Sequence, residues 1–123
     1  MAAAQDPLAS RLNVNIRPAH RWQIVEVGGD LDLVTAPALR DQIGALIDAR
    51  TAPRIALEMS RLTFCDSSGL NALIRLWKRA VAAGGQLVLL RPGSGLIRML
   101  ETTGLNRFLR VVDTPLALAL AQH

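Results

Sequence analysis

Short apolar strands alternate with amphipathic helical segments along this chain, and this alternation restricts its fold more than any other feature. After an initial pair of strands, each helix is followed by a strand across a short connection, which is typical of helices packed on a mixed or mostly parallel sheet. The sequence therefore predicts a single α/β domain with a mixed sheet of about four to five strands and about four helices. The predicted strands are 12–17, 22–29, 54–59, 86–90 and a short extended piece at 108–112. The predicted helices are 36–49, 68–83, 96–103 and one that begins at Pro115.

The periodicity also predicts which residues are buried. The first strand, LNVNIR, alternates apolar and polar residues and is therefore expected at a sheet edge. Thr35 is placed to cap the first long helix, and residues 60–65 are expected to form a short extended link. In the second long helix one stripe has helical spacing and is predicted to face the core. It consists of Leu70, Leu73, Ile74, Trp77 and Val81.

Composition excludes several classes of protein. The chain has 123 residues, enough for one domain, and its net charge of +4 comes from scattered arginines, which favours a solvated surface over a nucleic-acid interface. A single cysteine and two histidines allow neither an internal disulfide nor a metal-ligand cluster, and no cofactor is expected. No apolar run reaches the roughly 20 residues that span a bilayer. The single cysteine favours a reducing, cytoplasmic setting. The first residues lack the pattern of a signal peptide, so residues 1–11 are interpreted as a flexible arm.

The sequence also lacks the motifs of common catalytic and nucleotide-binding sites. There is no P-loop, and the short GSG at 93–95 is typical of a turn into a helix. A serine nucleophile needs a base, yet His20 lies in a predicted turn and His123 at the terminus. Cys65 follows an apolar segment and is predicted to be a buried core residue. We therefore predict that the chain is not an enzyme and has no catalytic residue.

The motif DSSG at 66–69 stands where an extended segment gives way to a helix. Any of Asp66, Ser67 and Ser68 can accept hydrogen bonds from the free N–H groups of the first helical turn. One capping side chain is enough, which leaves a second hydroxyl unexplained. A phosphate at this position would lie near unpaired N–H groups and the positive end of the helix dipole, and its charge would repel an apolar partner docked on Gly69 and Leu70.

From its motifs the chain resembles the STAS-domain anti-sigma factor antagonist (anti-anti-sigma factor) family. The resemblance rests on the ordered set of a strand, a link, DSSGL at 66–70, a helix ending in Gly84-Gly85 and an apolar strand. The segment GGDLD at 28–32 resembles the family's Gly-Glu-Leu-Asp, with Asp30 where glutamate is common. The match covers about residues 12–121, which is taken as the STAS domain.

The resemblance implies a function. A protein of this family binds an anti-sigma factor, which is usually a serine kinase, and so releases a sigma factor for transcription. The kinase phosphorylates the serine after the motif aspartate, Ser67 here, and a phosphatase restores the active form. Ser68 is then the expected helix cap. The expected partner-binding residues are Asp30, Leu31, Asp32, Ser67, Ser68, Gly69 and Leu70, with the motif residues Asp66, Ser68 and Gly69 shaping the helix start.

Several alternatives stay open at this point. Asp66 either orients the Ser67 hydroxyl or hydrogen-bonds the turn; Asp30 and Asp32 either contact the partner or serve the turn; Leu31 faces either the core or the partner. A STAS module can also be a scaffold subunit of a larger signalling complex or bind a small ligand such as a nucleotide or lipid. The expected assembly is a monomer or weak dimer that contacts neither nucleic acid nor membrane.

Overall fold

The computed structural model describes residues 11–114 as one mixed sheet with helices packed on it. Strand β1 (Leu12–Ala19) pairs antiparallel with β2 (Trp22–Leu31), and every other pairing is parallel. The order is β1-β2-β3-β5-β6, with β4 paired to the end of β2. The remaining strands are β3 (Arg54–Glu58), β4 (Leu62–Cys65), β5 (Gln86–Leu90) and β6 (Val111–Val112). The predicted α/β fold with a mixed sheet is confirmed, and β1 lies at the edge as expected.

Three α-helices connect these strands within the described part of the chain. They are α1 (Ala36–Asp48), α2 (Ser67–Ala82) and α3 (Ser94–Thr103), and a 3₁₀ turn (Leu105–Arg107) follows α3. Gly84 has a φ of +79°, in the left-handed region that glycine tolerates, and it redirects the chain after α2 as the sequence predicts. The expected helix from Pro115, like residues 1–10 of the expected arm, lies outside the described residues.

The segment 60–65 is one point where the prediction is wrong, because Leu62–Cys65 forms a sixth strand rather than a link. Glu58, the last residue of β3, faces Glu26, whereas β2 continues to Leu31. The end of β2 therefore has backbone donors and acceptors that β3 cannot reach. Strand β4 takes them up with a shift of register after Gly29, which satisfies groups that would be costly to leave unpaired.

The predicted extended piece at 108–112 is also shorter in the structure, where only Val111 and Val112 form β6. Gly104 ends α3 in the left-handed conformation, with a φ of +76°, and the chain then coils into the 3₁₀ turn. This path buries the side chain of Leu109 completely. Local coiling around a buried leucine thus replaces the first part of the predicted strand.

Two apolar clusters form on opposite faces of the sheet. The larger one joins α1, α2 and α3 to residues such as Val25, Leu57 and Leu89. The smaller one contains Trp22, Ile24, Ala56, Val88, Leu90 and Val112. Because side chains alternate along a strand, β2, β3 and β5 each supply residues to both clusters. The continuous apolar run of β5 reflects this double burial.

Helix α2 is rotated relative to the predicted stripe. Leu70 and Leu73 are buried as expected, but Val81 is 47% exposed and Ile74 and Trp77 are only partly buried. Four further residues of α2 complete the buried face, namely Gly69, Ala72, Leu76 and Ala80. Alanines on this face let α2 approach both the sheet and α1 closely, a contribution that a search for large apolar residues overlooks.

Candidate functional site

Two turns lie side by side at one end of the sheet, and they contain all the predicted site residues except Leu70, which directly follows the second turn. The first, which we call the aspartate turn, comprises residues 30–35 at the end of β2. The second, the serine turn, comprises residues 66–69 after β4. Leu31 pairs with Cys65 across the two parallel strands, and the backbone N–H of Asp66 donates to the Leu31 carbonyl over 3.3 Å. This pairing brings the DSSG and GGDLD motifs, far apart in sequence, to the same edge of the sheet.

Asp66 caps the N-terminus of α2. Its backbone is extended, with φ −102° and ψ −170°, and its carboxylate accepts a hydrogen bond of 3.0 Å from the Gly69 N–H. The prediction that Ser68 caps the helix is therefore wrong, because the helix begins at Ser67 and Ser68 lies inside its first turn. Of the two roles left open for Asp66, this hydrogen bond within the turn is the one that the structure contains.

Gly69 lets the start of α2 press against the end of β2. A Cβ at this position would lie 2.7 Å from the Leu31 carbonyl oxygen and 2.9 Å from the Cys65 sulfur. Both distances are shorter than real Cβ contacts, and the oxygen belongs to the backbone. A glycine in the fourth place of the motif is thus required by the close approach of helix and strand.

Ser67 is the first residue of α2 and is exposed to solvent. Within residues 11–114, nothing hydrogen-bonds to its hydroxyl, and the backbone N–H groups of Ser67 and Ser68 have no acceptor either. The first N–H groups of a helix lack intrahelical partners and carry the positive end of its dipole. The Ser67 hydroxyl is therefore free to react and lies where a phosphate would be stabilised.

The structure corrects part of the predicted partner-binding set. Leu31 has no exposed surface, Leu70 is 6% exposed, and Gly69 is buried. Leu31 and Leu70 belong to the larger apolar cluster. Of the two positions left open for Leu31, core or partner surface, the structure therefore has the core. These three residues pack below the exposed residues of the site and cannot form its contact surface.

The two aspartates of the first turn differ in their availability. Asp32 Oδ1 accepts hydrogen bonds from the N–H groups of Val34 and Thr35, at 3.0 and 3.1 Å, and its side chain is 13% exposed. Asp30 is 38% exposed, and its Oδ1 accepts a 3.1 Å bond from the Thr63 hydroxyl. Asp32 thus holds the turn, whereas Asp30 still presents a carboxylate to solvent.

Thr35 occupies the N-cap position of α1, as the sequence predicts, but its side chain does not cap that helix. Its hydroxyl instead donates to the Asp30 carbonyl over 2.8 Å and accepts from the Asp32 N–H over 3.0 Å. The threonine therefore stabilises the aspartate turn from within.

Arg11 joins the aspartate turn to the start of β1, a contact that the sequence did not reveal. Its guanidinium forms ion pairs with Asp32 and, at 3.5 Å, with Asp30. The prediction placed Arg11 at the end of a flexible arm, but these ion pairs hold it against the turn.

Three exposed apolar side chains border the site, and the sequence analysis missed them as well. Leu33 is 73% exposed, Val34 51% and Phe64 50%. Leu33 and Val34 belong to the aspartate turn, and Phe64 lies on β4 opposite Asp30. Two apolar residues in a turn, where polar ones are usual, were the available signal. Exposed apolar side chains grouped around one site are typical of a protein-binding surface.

Cys65 lies between the two turns but does not have the environment of a reactive thiol. Burial, and secondarily the negative charge of Asp66, raises its pKa to about 11. The thiol therefore stays protonated at neutral pH, and only the thiolate is a nucleophile. The residue packs against the larger apolar cluster, in agreement with its predicted place in the core.

Two further observations limit the chemistry of the described residues. Between Arg11 and Thr114, no three His, Cys, Asp or Glu side chains come together as ligands for a metal ion. None of the helices in that part of the chain has the length and apolar character needed to cross a membrane. The site consists of a free hydroxyl, a carboxylate and apolar side chains, which is suited to recognition.

Comparison with known proteins gives a consistent family assignment. The sequence profile described as the STAS domain matches residues 11–119. An anti-sigma F factor antagonist of Paenibacillus polymyxa is 30% identical over 104 residues, which are 83% of this chain and 89% of that protein. An anti-sigma-B factor antagonist of Bacillus subtilis is 30% identical over 95 residues, which are 77% of this chain and 85% of that protein.

Comparison of the fold with solved structures agrees with the family assignment from the sequence. The crystal structure of an anti-sigma factor antagonist from Mycobacterium paratuberculosis superposes with a TM-score of 0.79 at 25% sequence identity. The superposition covers 91% of this chain and 95% of that protein. The likeness is therefore not confined to one motif.

Proposed function

The chain belongs to the STAS domain family, and from this membership we propose that it is an anti-sigma factor antagonist. It binds an anti-sigma factor and thereby frees a sigma factor for transcription. The relatives that it matches over more than three quarters of its length are anti-sigma factor antagonists. The observation that carries the proposal is the free Ser67 hydroxyl on the same sheet edge as exposed Leu33 and Phe64.

The docking surface in this proposal consists of Asp30, Leu33, Val34, Phe64, Ser67 and Ser68. Its apolar members lose water-exposed area when the partner binds, which is favourable by about 25 cal/mol per Å². Asp30 supplies a carboxylate for a cation or N–H group of the partner. The proposal keeps Asp30, Ser67 and Ser68 from the residues expected from the sequence and adds the exposed apolar ones. Asp32 remains near the surface but contributes by holding the turn.

Phosphorylation of Ser67 by the anti-sigma factor, acting as a serine kinase, switches the antagonist off in this proposal. The phosphate adds about −1.5 to −2 charges at neutral pH. The unpaired N–H groups at the start of α2 stabilise it, so the fold persists. The same charge must lose water when an apolar partner surface covers Leu33 and Phe64, which weakens binding. A phosphatase that removes the phosphate restores the active form.

This role places the protein in the cytoplasm with its partners, as a monomer or weak dimer. It needs neither a cofactor nor a catalytic group of its own, since the kinase and phosphatase carry out the chemistry. Binding to nucleic acid or a membrane is not part of it.

The test uses Ser67→Ala and the matched control Ser68→Ala, which removes the neighbouring hydroxyl. After incubation with the cognate anti-sigma kinase and ATP, mass spectrometry should map phosphate to Ser67 in the unaltered protein and in Ser68→Ala. Ser67→Ala should gain no phosphate and keep its affinity for the kinase. Phosphate on Ser68 alone would contradict the assignment of Ser67, and failure of the unaltered protein to bind any anti-sigma factor encoded in its genome would contradict the role.

A further inference from the structure

A concave site lies away from the serine turn. It is a cleft of about 640 Å³ at the carboxyl ends of the parallel strands β2, β3 and β5. Its polar lining consists of Asn13, Asn15, Glu26, Glu58, Ser60, Arg61 and Arg91. Neither Ser67 nor any of the exposed apolar residues beside it lines the cleft. Small ligands commonly bind at the carboxyl ends of parallel strands, in clefts of about 300–1,000 Å³.

The position of the cleft follows from the strand pairing. Glu58 ends β3 opposite Glu26, and β4 begins only at Leu62. The residues between these two strands leave a gap in the sheet beside β2. Strand β2 continues past this gap through Gly28 and Gly29. Glu26 and Gly28 alternate with residues of the larger cluster, so they lie on the opposite face of the sheet. The gap therefore opens on the face away from α1 and α2.

The two glutamates of the cleft are already occupied by partners. Glu58 is 5% exposed, and its Oε1 accepts hydrogen bonds of 2.7 Å from both the N–H and the hydroxyl of Ser60. Its Oε2 accepts from Arg91 Nε over 2.6 Å and also from Nη2. Glu26 accepts a 3.1 Å bond from Asn15 and faces Arg17 at 3.5 Å. Both negative charges are thus balanced within the protein.

The arginines of the cleft keep unused donors. Arg91 contacts Glu58 through Nε and Nη2, and its Nη1 bonds to no residue between 11 and 114. The whole guanidinium of Arg61 is likewise unpaired within that range. The backbone of Arg61 is nevertheless fixed, because its carbonyl accepts a 3.0 Å bond from the Gly29 N–H. The free charged donors of the cleft are therefore cationic.

Arg91 also has a left-handed backbone conformation, which is unusual for a residue other than glycine. Its φ is +52°, in the left-handed region that non-glycine residues seldom adopt. Its N–H donates to the Val112 carbonyl over 3.0 Å, and its side chain is held by buried Glu58. Backbone strain of this kind concentrates at functional sites. Here the strained residue lines the cleft, where its guanidinium pairs with Glu58.

From these observations we propose that the cleft binds a small organic oxyanion, with Arg61 and Arg91 pairing its phosphate or carboxylate group. Guanidinium groups suit both anions because their N–H donors match two oxygens at once. The amides of Asn13 and Asn15 and the hydroxyl of Ser60 offer further hydrogen bonds to the rest of the molecule. This site goes beyond the partner switch and does not depend on it.

The experiment titrates the ¹⁵N-labelled full chain with glycerol 3-phosphate or with succinate at constant ionic strength. We expect saturable NMR shifts of the Gly28, Gly29 and Ser60 amides with at least one probe, while the amide of Ser67 stays unshifted. Saturation by glycerol 3-phosphate alone identifies a phosphate site, and saturation by succinate alone a carboxylate site. Absence of saturable shifts with both probes would overturn the proposal.

Two variants separate a built site from general attraction by positive charge. Arg61→Ala should weaken binding about tenfold, because a charge-assisted hydrogen bond is lost. Arg98→Ala removes the same charge from an exposed position on α3 that does not line the cleft, and it should leave the affinity unchanged. Since Arg61 makes no side-chain bond within the described residues, its loss should not unfold the protein. Equal weakening by the two variants, or none by Arg61→Ala, would refute the site.

Discussion

Asp66 stabilises α2 through a single hydrogen bond from its carboxylate to the Gly69 N–H. Replacing it with alanine should therefore lower the free energy of unfolding by about 0.5–2 kcal/mol, the usual effect of losing an N-cap. Asp66→Asn should cost much less, because an amide oxygen caps a helix nearly as well. Urea unfolding of the two variants measures this difference. An Asp66→Ala protein as stable as the unaltered one would show that the cap contributes nothing.

Glu58 gives the stability of the protein a dependence on pH. Burial by itself raises the pKa of this carboxyl, but the hydrogen bonds from Ser60 and the contact with Arg91 outweigh it and lower the pKa below 4.5. The folded protein thus binds the Glu58 proton less readily than the unfolded chain does. The stabilisation is complete above pH 4.5 and is lost as the pH falls through the lowered value.

The variant Glu58→Gln isolates this effect. At about pH 7 it should be less stable by about 1.5–3 kcal/mol, since hydrogen bonds to a charged group are lost. The deficit should shrink as the pH falls below 4.5, where the unaltered protein loses the same contribution. Urea unfolding across this pH range measures it, with Glu101→Gln on exposed α3 as the control for a lost carboxylate. A deficit that stays constant with pH would contradict the argument.

At the scale of the elements, the apolar surface beside the serine turn leads to a prediction about binding. Leu33→Ser and Phe64→Ser should each weaken binding to the anti-sigma factor about tenfold or more, as truncating a central interface residue often does. Both side chains are at least half exposed, so the free energy of unfolding should change by less than about 0.5 kcal/mol. Isothermal titration calorimetry with the purified partner measures the affinity.

Val81→Ser provides the matched control for this surface. Like Leu33 and Phe64, Val81 is an exposed apolar residue. It lies on α2, 14 positions after Ser67, which is about 21 Å along the helix. Its replacement should leave the affinity unchanged. If Val81→Ser weakened binding as much as Phe64→Ser, the effect would not be specific to the proposed docking surface.

The elements also show how far the sequence can predict this structure. Apolar periodicity located β1, β2, β3, β5 and the three helices, because each of these elements has one or both faces in a core. It could not predict β4, which exists because β2 continues beyond β3 and leaves backbone groups to be paired. It also could not orient α2, because the alanines that pack closely do not stand out by hydrophobicity.

The candidate site was predictable only in part, for a related reason. The resemblance of the motif to its family marks Ser67, and a carboxylate at a helix start marks Asp66 as a candidate N-cap. The neighbours of Ser67 depend on which strands pair, and that is a long-range property of the chain. Leu33 and Phe64 therefore escaped prediction, whereas Leu31 and Leu70, which were included among the expected partner-binding residues, are buried by packing.

At the scale of the whole molecule, the two apolar clusters should unfold together. Strands β2, β3 and β5 contribute alternate residues to both clusters, so neither face can lose its packing while the other keeps it. The chain has two tryptophans, and each reports on one face. Trp22 is fully buried in the smaller cluster, and Trp77 packs against the larger one with its ring centroid 5.3 Å from that of Phe108.

Single-tryptophan variants test this cooperativity. In Trp77→Phe the fluorescence of Trp22 should follow urea unfolding with the same midpoint as the far-UV circular dichroism, and in Trp22→Phe the fluorescence of Trp77 should do the same. Coincidence of probes within one variant is the mark of a two-state transition and does not require the two variants to be equally stable. A Trp22 transition at lower urea than the circular dichroism of that variant would mean that the face away from α1 and α2 opens first. The cleft on that face, bordered by Glu58 and Arg91, would then be lost before the serine turn.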